Sequence, residues 1–205
     1  MSIILIRHGE TLLNAARTLQ PADTPLSERG VAQARAVAQR LSTLRIAGIV
    51  SSDLPRADAT AQAIADVVGI AFSTTPLLQE RNFGDWRGRP YDSLGFNPLT
   101  SEDAPPGGES MGAFRQRVAL AFAHLLQMRQ NLPGPLVAVT HGLVIKALLN
   151  GHVPPLAGIT FPDAFGNTSV TVLSERPPHD VDLAGCMRHL QNDSLRHDAK
   201  SLSGG

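Results

Sequence analysis

Cysteine is almost missing from this chain. Cys186 is the only one in 205 residues, so no disulfide can close within the chain, and a reducing compartment is the expected setting. Lysine is nearly as scarce: of 18 basic residues only Lys146 and Lys200 are lysines. Net charge is missing too. The 18 basic residues balance 18 acidic ones, which removes the basic surplus that nucleic acid or an anionic membrane requires. No apolar run reaches the length of a membrane span, and the opening Met-Ser-Ile-Ile-Leu-Ile-Arg-His has neither the basic start nor the long apolar stretch of a secretory signal. The expectation is a cytoplasmic protein with no nucleic-acid or membrane partner. A homodimer is left open.

What is present suits one domain, residues 1–205, with 42% apolar residues to build its core. The arginine bias is compatible with phosphate chemistry, because a planar guanidinium fork matches phosphate oxygens, and equally with plain genomic composition. Short apolar runs at Ile3 to Ile6, Ile46 to Val50 and Pro135 to Val139 read as buried strands. A weak strand is expected near Ile70 to Ser73, with two late ones at Ser169 to Leu173 and Ala184 to Leu190. Helical patterns fall between them at about 31–44, 57–68, 143–149, and from a Ser110 cap to about Arg129. Pro55 stands where a helix accepts a first-turn proline. Alternation of strands and helices predicts an α/β fold, with a mainly parallel central sheet. Residues 83–108 interrupt the pattern with glycines, prolines, Phe83, Trp86, Tyr91 and Phe96. A loop of this length is expected to be a functional, lid-like excursion or disordered. The tail from about 198 is expected to fray.

The chemically loaded residues follow the strands. His8 comes after the first, Ser52 and Arg56 after the second, His141 after the third clear one. Ligands of open α/β sheets bind at the carboxyl ends of strands, which gathers these residues into one site.

Leu5-Ile6-Arg7-His8-Gly9-Glu10-Thr11 resembles the signature of the histidine phosphatase superfamily, also called the phosphoglycerate mutase-like family. Four further segments match in order after Asn14: Pro25 to Gly30, Ser51 to Ala57, Leu78-Gln79-Glu80 with Gly84 to Gly88, and Val139-Thr140-His141-Gly142. The resemblance covers residues 3 to about 195. It implies a three-layer α/β/α sandwich, a small phosphorylated substrate, and His8 as the nucleophile that takes the phosphoryl group.

The residue chemistry supports those roles. Arg7 and Arg56 can each fork two N–H bonds to phosphate oxygens, and His141 can add a donor. Gly9 allows close backbone approach, and Asn14 and Gly142 are candidate substrate contacts, Asn14 being equally a local cap. His8 must be neutral to attack through a ring nitrogen, and two arginines beside it disfavour its protonation. Glu80 is the candidate general acid, then the base for water. Glu10 and Glu109 are rival carboxylates, and Arg81 next to Glu80 would lower its pKa unless the side chain points away. No metal or other cofactor is implied, since arginine and histidine supply the positive charge.

Two motifs point elsewhere. Gly108-Glu109-Ser110-Met111-Gly112 fits the nucleophile elbow of serine hydrolases, but Pro105 and Pro106 stand where that motif needs a strand. A metal site on His8 and His141 lacks a third ligand. Within the family, the glycolytic mutases carry other residues where this chain has Asn82-Phe83 and Gln20-Pro21-Ala22-Asp23. Pro21 has no N–H for a substrate carboxylate, so hydrolysis of small phosphate monoesters is preferred over phosphoryl transfer to a second hydroxyl. The Phe83 and Trp86 region is expected to accept an apolar or aromatic leaving group. A binding module with its chemistry lost is disfavoured, because nucleophile and clamp are both present.

Overall fold

The computed structural model of the protein describes residues 2–154, 161–174, 176–177 and 179–190. The first strand, β1, is Ser2–Arg7. Its apolar residues divide by parity: Ile3 and Leu5 enter one core cluster, Ile4 and Ile6 the other. Burial on both faces explains why the strand reads as an unbroken apolar run. The strand β4, Leu136–Thr140, is buried throughout and divides the same way. With β2 (Gly48–Ser51), β3 (Ser73–Thr74), β5 (Val170–Ser174) and β6 (Val181–Cys186), these form one sheet in the order β3-β2-β4-β1-β5-β6. The pairs from β3 through β1 are parallel, and β5 and β6 add antiparallel at one edge.

Helices cover both faces. Helix α2 (Glu28–Leu41) and helix α3 (Pro55–Val68) pack on the cluster that holds Ile4 and Ile6. Helix α4 (Met111–Gln130) and helix α5 (Gly142–His152) pack on the cluster of Ile3 and Leu5. The result is the three-layer α/β/α architecture. Local chemistry sets the helix starts. The Ser27 hydroxyl accepts from the Gly30 amide, so α2 begins three residues before the expected position. Ser110 accepts from the Ala113 amide and starts α4 as expected. Pro55 opens α3, and Gly69 closes it in the left-handed region at φ 78°.

Several boundaries differ from the sequence reading. A four-residue helix α1, Leu12–Ala15, was not expected, since it is nucleated by a reciprocal cap between Thr11 and Asn14 and not by an apolar stripe. The weak third strand shrinks to two residues. β6 lies three to four residues earlier than expected because its register is set by pairing with β5. The tail from 198 lies outside the described residues.

The excursion 83–108 is built around one side chain. The buried Arg81 guanidinium donates to the carbonyls of Glu109 (3.0 Å), Pro98 (3.3 Å), Ser101 (2.7 Å) and Asp103 (2.7 Å). A guanidinium in the centre replaces the regular hydrogen bonding that this stretch lacks. Its other edge closes over the sheet end: Gly88 donates to Leu19, Leu19 to Arg89, and Tyr91 to Arg17.

Candidate active site

The site grows out of strand register. β1 and β4 pair with Arg7 opposite Thr140, so the next residues, His8 and His141, come side by side, ring centroids 5.0 Å apart. β2 pairs with β4 with Ser51 opposite Val139, which sets Ser52 against His141 at 3.0 Å. Arg56 follows one residue into α3. Glu80 follows a 3-10 turn at Pro76–Leu78, and the Thr140 hydroxyl donates to the carbonyl of Leu78 at 2.8 Å. Sequence order alone scatters these residues; parallel pairing brings them to one sheet end.

His8 is held by its own neighbour. Nδ1 lies 2.6 Å from the Gly9 carbonyl oxygen. A carbonyl only accepts, so Nδ1 carries the proton and Nε2 keeps its lone pair. The ring is buried, and burial first, then Arg56 and Arg7, hold its pKa well below the usual 6.5. The two arginines act as expected, but desolvation is the larger cause. His141 is likewise depressed, by burial and then by Arg56, His8 and Arg7. The Ser52 hydroxyl accepts from the Leu54 amide at 3.2 Å, which leaves its own hydrogen for His141 Nε2. With Ser52 as the donor to Nε2, the proton sits on His141 Nδ1, which is buried without a partner among the described residues. The ring lies beside His8 at the sheet end, although neither His141 nor Gly142 borders the cavity that His8 lines.

Arg7 and Arg56 are each 2% exposed. Arg7 spends one nitrogen on the Phe165 carbonyl at 2.5 Å, and Arg56 reaches the Pro21 and Ala22 carbonyls at 3.4 and 3.5 Å. Burial lowers the Arg56 pKa to about 10, so it stays charged at neutral pH. Glu80 accepts from the Arg81 amide (3.0 Å) and the Leu143 amide (3.3 Å). Loss of hydration still raises its pKa above 4.5, against those bonds and the two arginines. The Arg81 guanidinium is turned to the excursion carbonyls, and its amide makes the hydrogen bond to Glu80.

Arg7, His8, Arg56 and Glu80 border one cavity of about 30 Å³. The rival carboxylates are used elsewhere. Glu10 accepts from Ser27 and pairs with Arg29 at 3.1 Å. Glu109 pairs with Arg117 at 2.8 Å. Two of the expected substrate contacts have structural uses of their own. Gly9 is needed for packing, since a Cβ there would stand 2.5 Å from the Gly30 carbonyl oxygen; its amide donates to Thr60. Asn14 caps α1 and donates to Asn167, and it does not border the cavity. Gly142 opens α5 directly after His141. Trp86 packs against Phe96 at 5.0 Å and also stays outside the cavity, whereas Phe83 borders it.

Sequence reasoning missed four contributors. Gln20, Arg87 and Tyr91 border the cavity, and Arg117 grips the carbonyls of Leu77, Gln79 and Glu80 (2.9, 2.8 and 3.3 Å). Arg87 lay inside a matched segment and could have been singled out by its charge. Arg117 sits mid-helix, with no local signal.

Comparison with known proteins agrees with this geometry. Residues 3–180 match the histidine phosphatase superfamily (branch 1). A probable phosphoglycerate mutase GpmB of Yersinia pestis (strain Pestoides F) is 39% identical over 165 residues, 73% of this chain and 74% of that protein. A mycobacterial glucosyl-3-phosphoglycerate phosphatase, solved with VO3, superposes with a TM-score of 0.76 at 31% identity, covering 91% of this chain and 99% of that one. YhfR of Bacillus stearothermophilus gives 0.79 at 28% identity, covering 92% and 98%. A match over most of the chain, with a relative of this identity, places the protein in a family: it belongs to the histidine phosphatase superfamily.

Proposed function

We propose that the protein hydrolyses small phosphate monoesters through a phosphohistidine on His8. The observation that carries the reading is the state of His8: Nδ1–H is tied to the Gly9 carbonyl, and Nε2 is unprotonated between two buried arginines. Nε2 attacks phosphorus in line, the P–N bond forms and the ester P–O bond breaks. Arg7, Arg56 and His141 Nδ1–H carry the charge on the phosphoryl oxygens. Glu80, whose raised pKa favours its protonated form, gives its proton to the departing alkoxide. The Glu80 carboxylate then takes a proton from water as the water attacks phosphorus, and phosphate leaves with His8 restored.

The test is release of phosphate from an aryl phosphate in the presence of a chelator, with wild type beside His8→Ala. Release that survives chelation and vanishes in the variant is the expected result. Release that persists in His8→Ala overturns the assignment.

One observation favours a second reading, phosphoryl transfer to another hydroxyl. The 39%-identical relative is a probable phosphoglycerate mutase. Against it, Pro21 offers no amide, and the Pro21 and Ala22 carbonyls face Arg56. If labelled phosphate moves between hydroxyls of a phosphorylated hydroxy acid faster than it appears free in solution, the transfer reading wins.

A further inference from the structure

Four arginines, Arg7, Arg56, Arg81 and Arg87, border the cavity beside one carboxylate, Glu80. A phosphoryl dianion alone does not balance that charge. The four differ in how they are used. Arg7 and Arg56 are the buried clamp, and Arg81 is spent on four backbone carbonyls. Arg87 is half-buried, and no described carboxylate pairs with it: the ion pairs are Arg17–Asp92, Arg29–Glu10, Arg115–Glu102 and Arg117–Glu109. It lies close enough to Arg56 to disfavour its charged form. An unpaired cation next to another cation is costly, and an anion supplied by the substrate relieves it.

The neighbours of Arg87 also donate. Gln20 uses its side-chain oxygen to accept from Thr11 at 2.7 Å, which leaves its amide N–H groups for the cavity. Tyr91 brings a phenolic O–H to the same wall. The wall is held by hydrogen bonds from Gly88 to Leu19 and from Leu19 to Arg89, which flank Arg87, and by Trp86 packed on Phe96. The backbone that carries Arg87 to the cavity is thus held in place.

Resting on the proposed phosphoryl chemistry at His8, we infer that Arg87 is a specificity residue that binds a second anionic group, carboxylate or phosphate, on the leaving group of the substrate. The leaving group is then itself charged and small, not the apolar or aromatic one that composition suggested.

The test uses matched pairs. Glycerol 3-phosphate and 3-phosphoglycerate share a carbon skeleton and differ in one carboxylate. Propyl phosphate and 1,3-propanediol bisphosphate differ in a second phosphate. Binding is measured by calorimetry in a His8→Asn background, so that turnover is not needed, with and without Arg87→Gln. The expected result is a preference of about tenfold or more for the partner with the second anionic group in at least one pair, the value of a charge-assisted hydrogen bond. Arg87→Gln should abolish it while changing affinity for the single-phosphate partner by less than about threefold. Arg87→Lys should keep part of it, as a point charge without the fork. Which pair responds distinguishes carboxylate from phosphate. No preference in either pair, or an equal loss for all four compounds in Arg87→Gln, overturns the inference. Absence of phosphate release by wild type from every ester would sink the hydrolase reading instead and leave the binding ratios to decide on Arg87.

Discussion

The proposed reaction asks for two particular protonation states at the site, and burial favours both. His8 attacks as the neutral ring, and burial with Arg56 and Arg7 keeps it neutral far below pH 6.5. Glu80 acts first as an acid, and burial raises its pKa above 4.5. The acidic limb of activity therefore lies low, and the limb above it is loss of the Glu80 proton, at a pKa that burial raises. kcat/KM for an alkyl phosphate is expected to fall as pH rises through the raised Glu80 pKa. An aryl phosphate, whose leaving group needs less help from an acid, should show a shallower fall. In Glu80→Gln the limb should disappear and the alkyl rate drop about 10²- to 10⁴-fold, the usual value of a positioned acid. A pH–rate profile checks this, and a limb that persists in the variant assigns the acid elsewhere. At this scale the sequence was most informative. Residue type plus order named His8, Arg7, Arg56, Glu80 and His141. It could not name hydrogen-bond partners: the reason for Gly9 is Gly30, 21 residues on, and the partner of Asn14 is Asn167.

At the scale of elements, the acid is carried on an irregular segment that a helix holds. Arg117 of α4 bonds three carbonyls of that segment, those of Leu77, Gln79 and Glu80, and its charge is met by Glu109. Arg117→Met would leave Glu109 without its partner and three carbonyls without a donor. A loss of about 2–3 kcal/mol is expected in urea unfolding, from charged hydrogen bonds of this kind. kcat for alkyl phosphates should fall with KM little changed, because the clamp arginines are untouched. A fall in KM affinity without loss of kcat would argue that Arg117 shapes the binding wall instead. A second close contact joins elements: a Cβ on Gly30, in the first turn of α2, would overlap the Glu10 carbonyl. Gly30→Ala is expected to cost about 1–3 kcal/mol by overpacking and to displace the loop that follows His8. Strand and helix existence was legible from apolar runs and caps. The excursion was legible only as irregular, because its order comes from Arg81 bonding to carbonyls 17 to 28 residues away, and no local pattern encodes that.

Across the whole molecule, neutrality of composition conceals concentration of charge. The chain balances 18 basic against 18 acidic residues, yet four arginines and one carboxylate border a single cavity. Parallel pairing of β1, β2 and β4 gathers them, so the sheet stabilises the site and the site taxes the sheet. The tax depends on pH. His8 and His141 have folded pKa values well below their unfolded value of about 6.5, and His189 is lowered by burial and Arg40 to about 4. Between the folded and unfolded values the unfolded chain binds more protons. Stability is therefore complete above about pH 6.5 and is lost as pH falls below it, by about 1.4 kcal/mol per unit for each such group. Glu80 has the opposite sign: its contribution is present below its unfolded pKa and already lost above its raised folded one, so acidification returns part of it. Three histidines against one carboxyl make the net expectation a Tm that drops from pH 7.5 to pH 5.5. The slope should be about a third smaller in His141→Gln, although its Tm at pH 7.5 is lower because the bond to Ser52 is disturbed. Thermal unfolding of both proteins across that range decides the matter. A wild-type Tm that stays flat would mean that the buried histidines are protonated in the folded state, and the neutral nucleophile at His8 would fall with it.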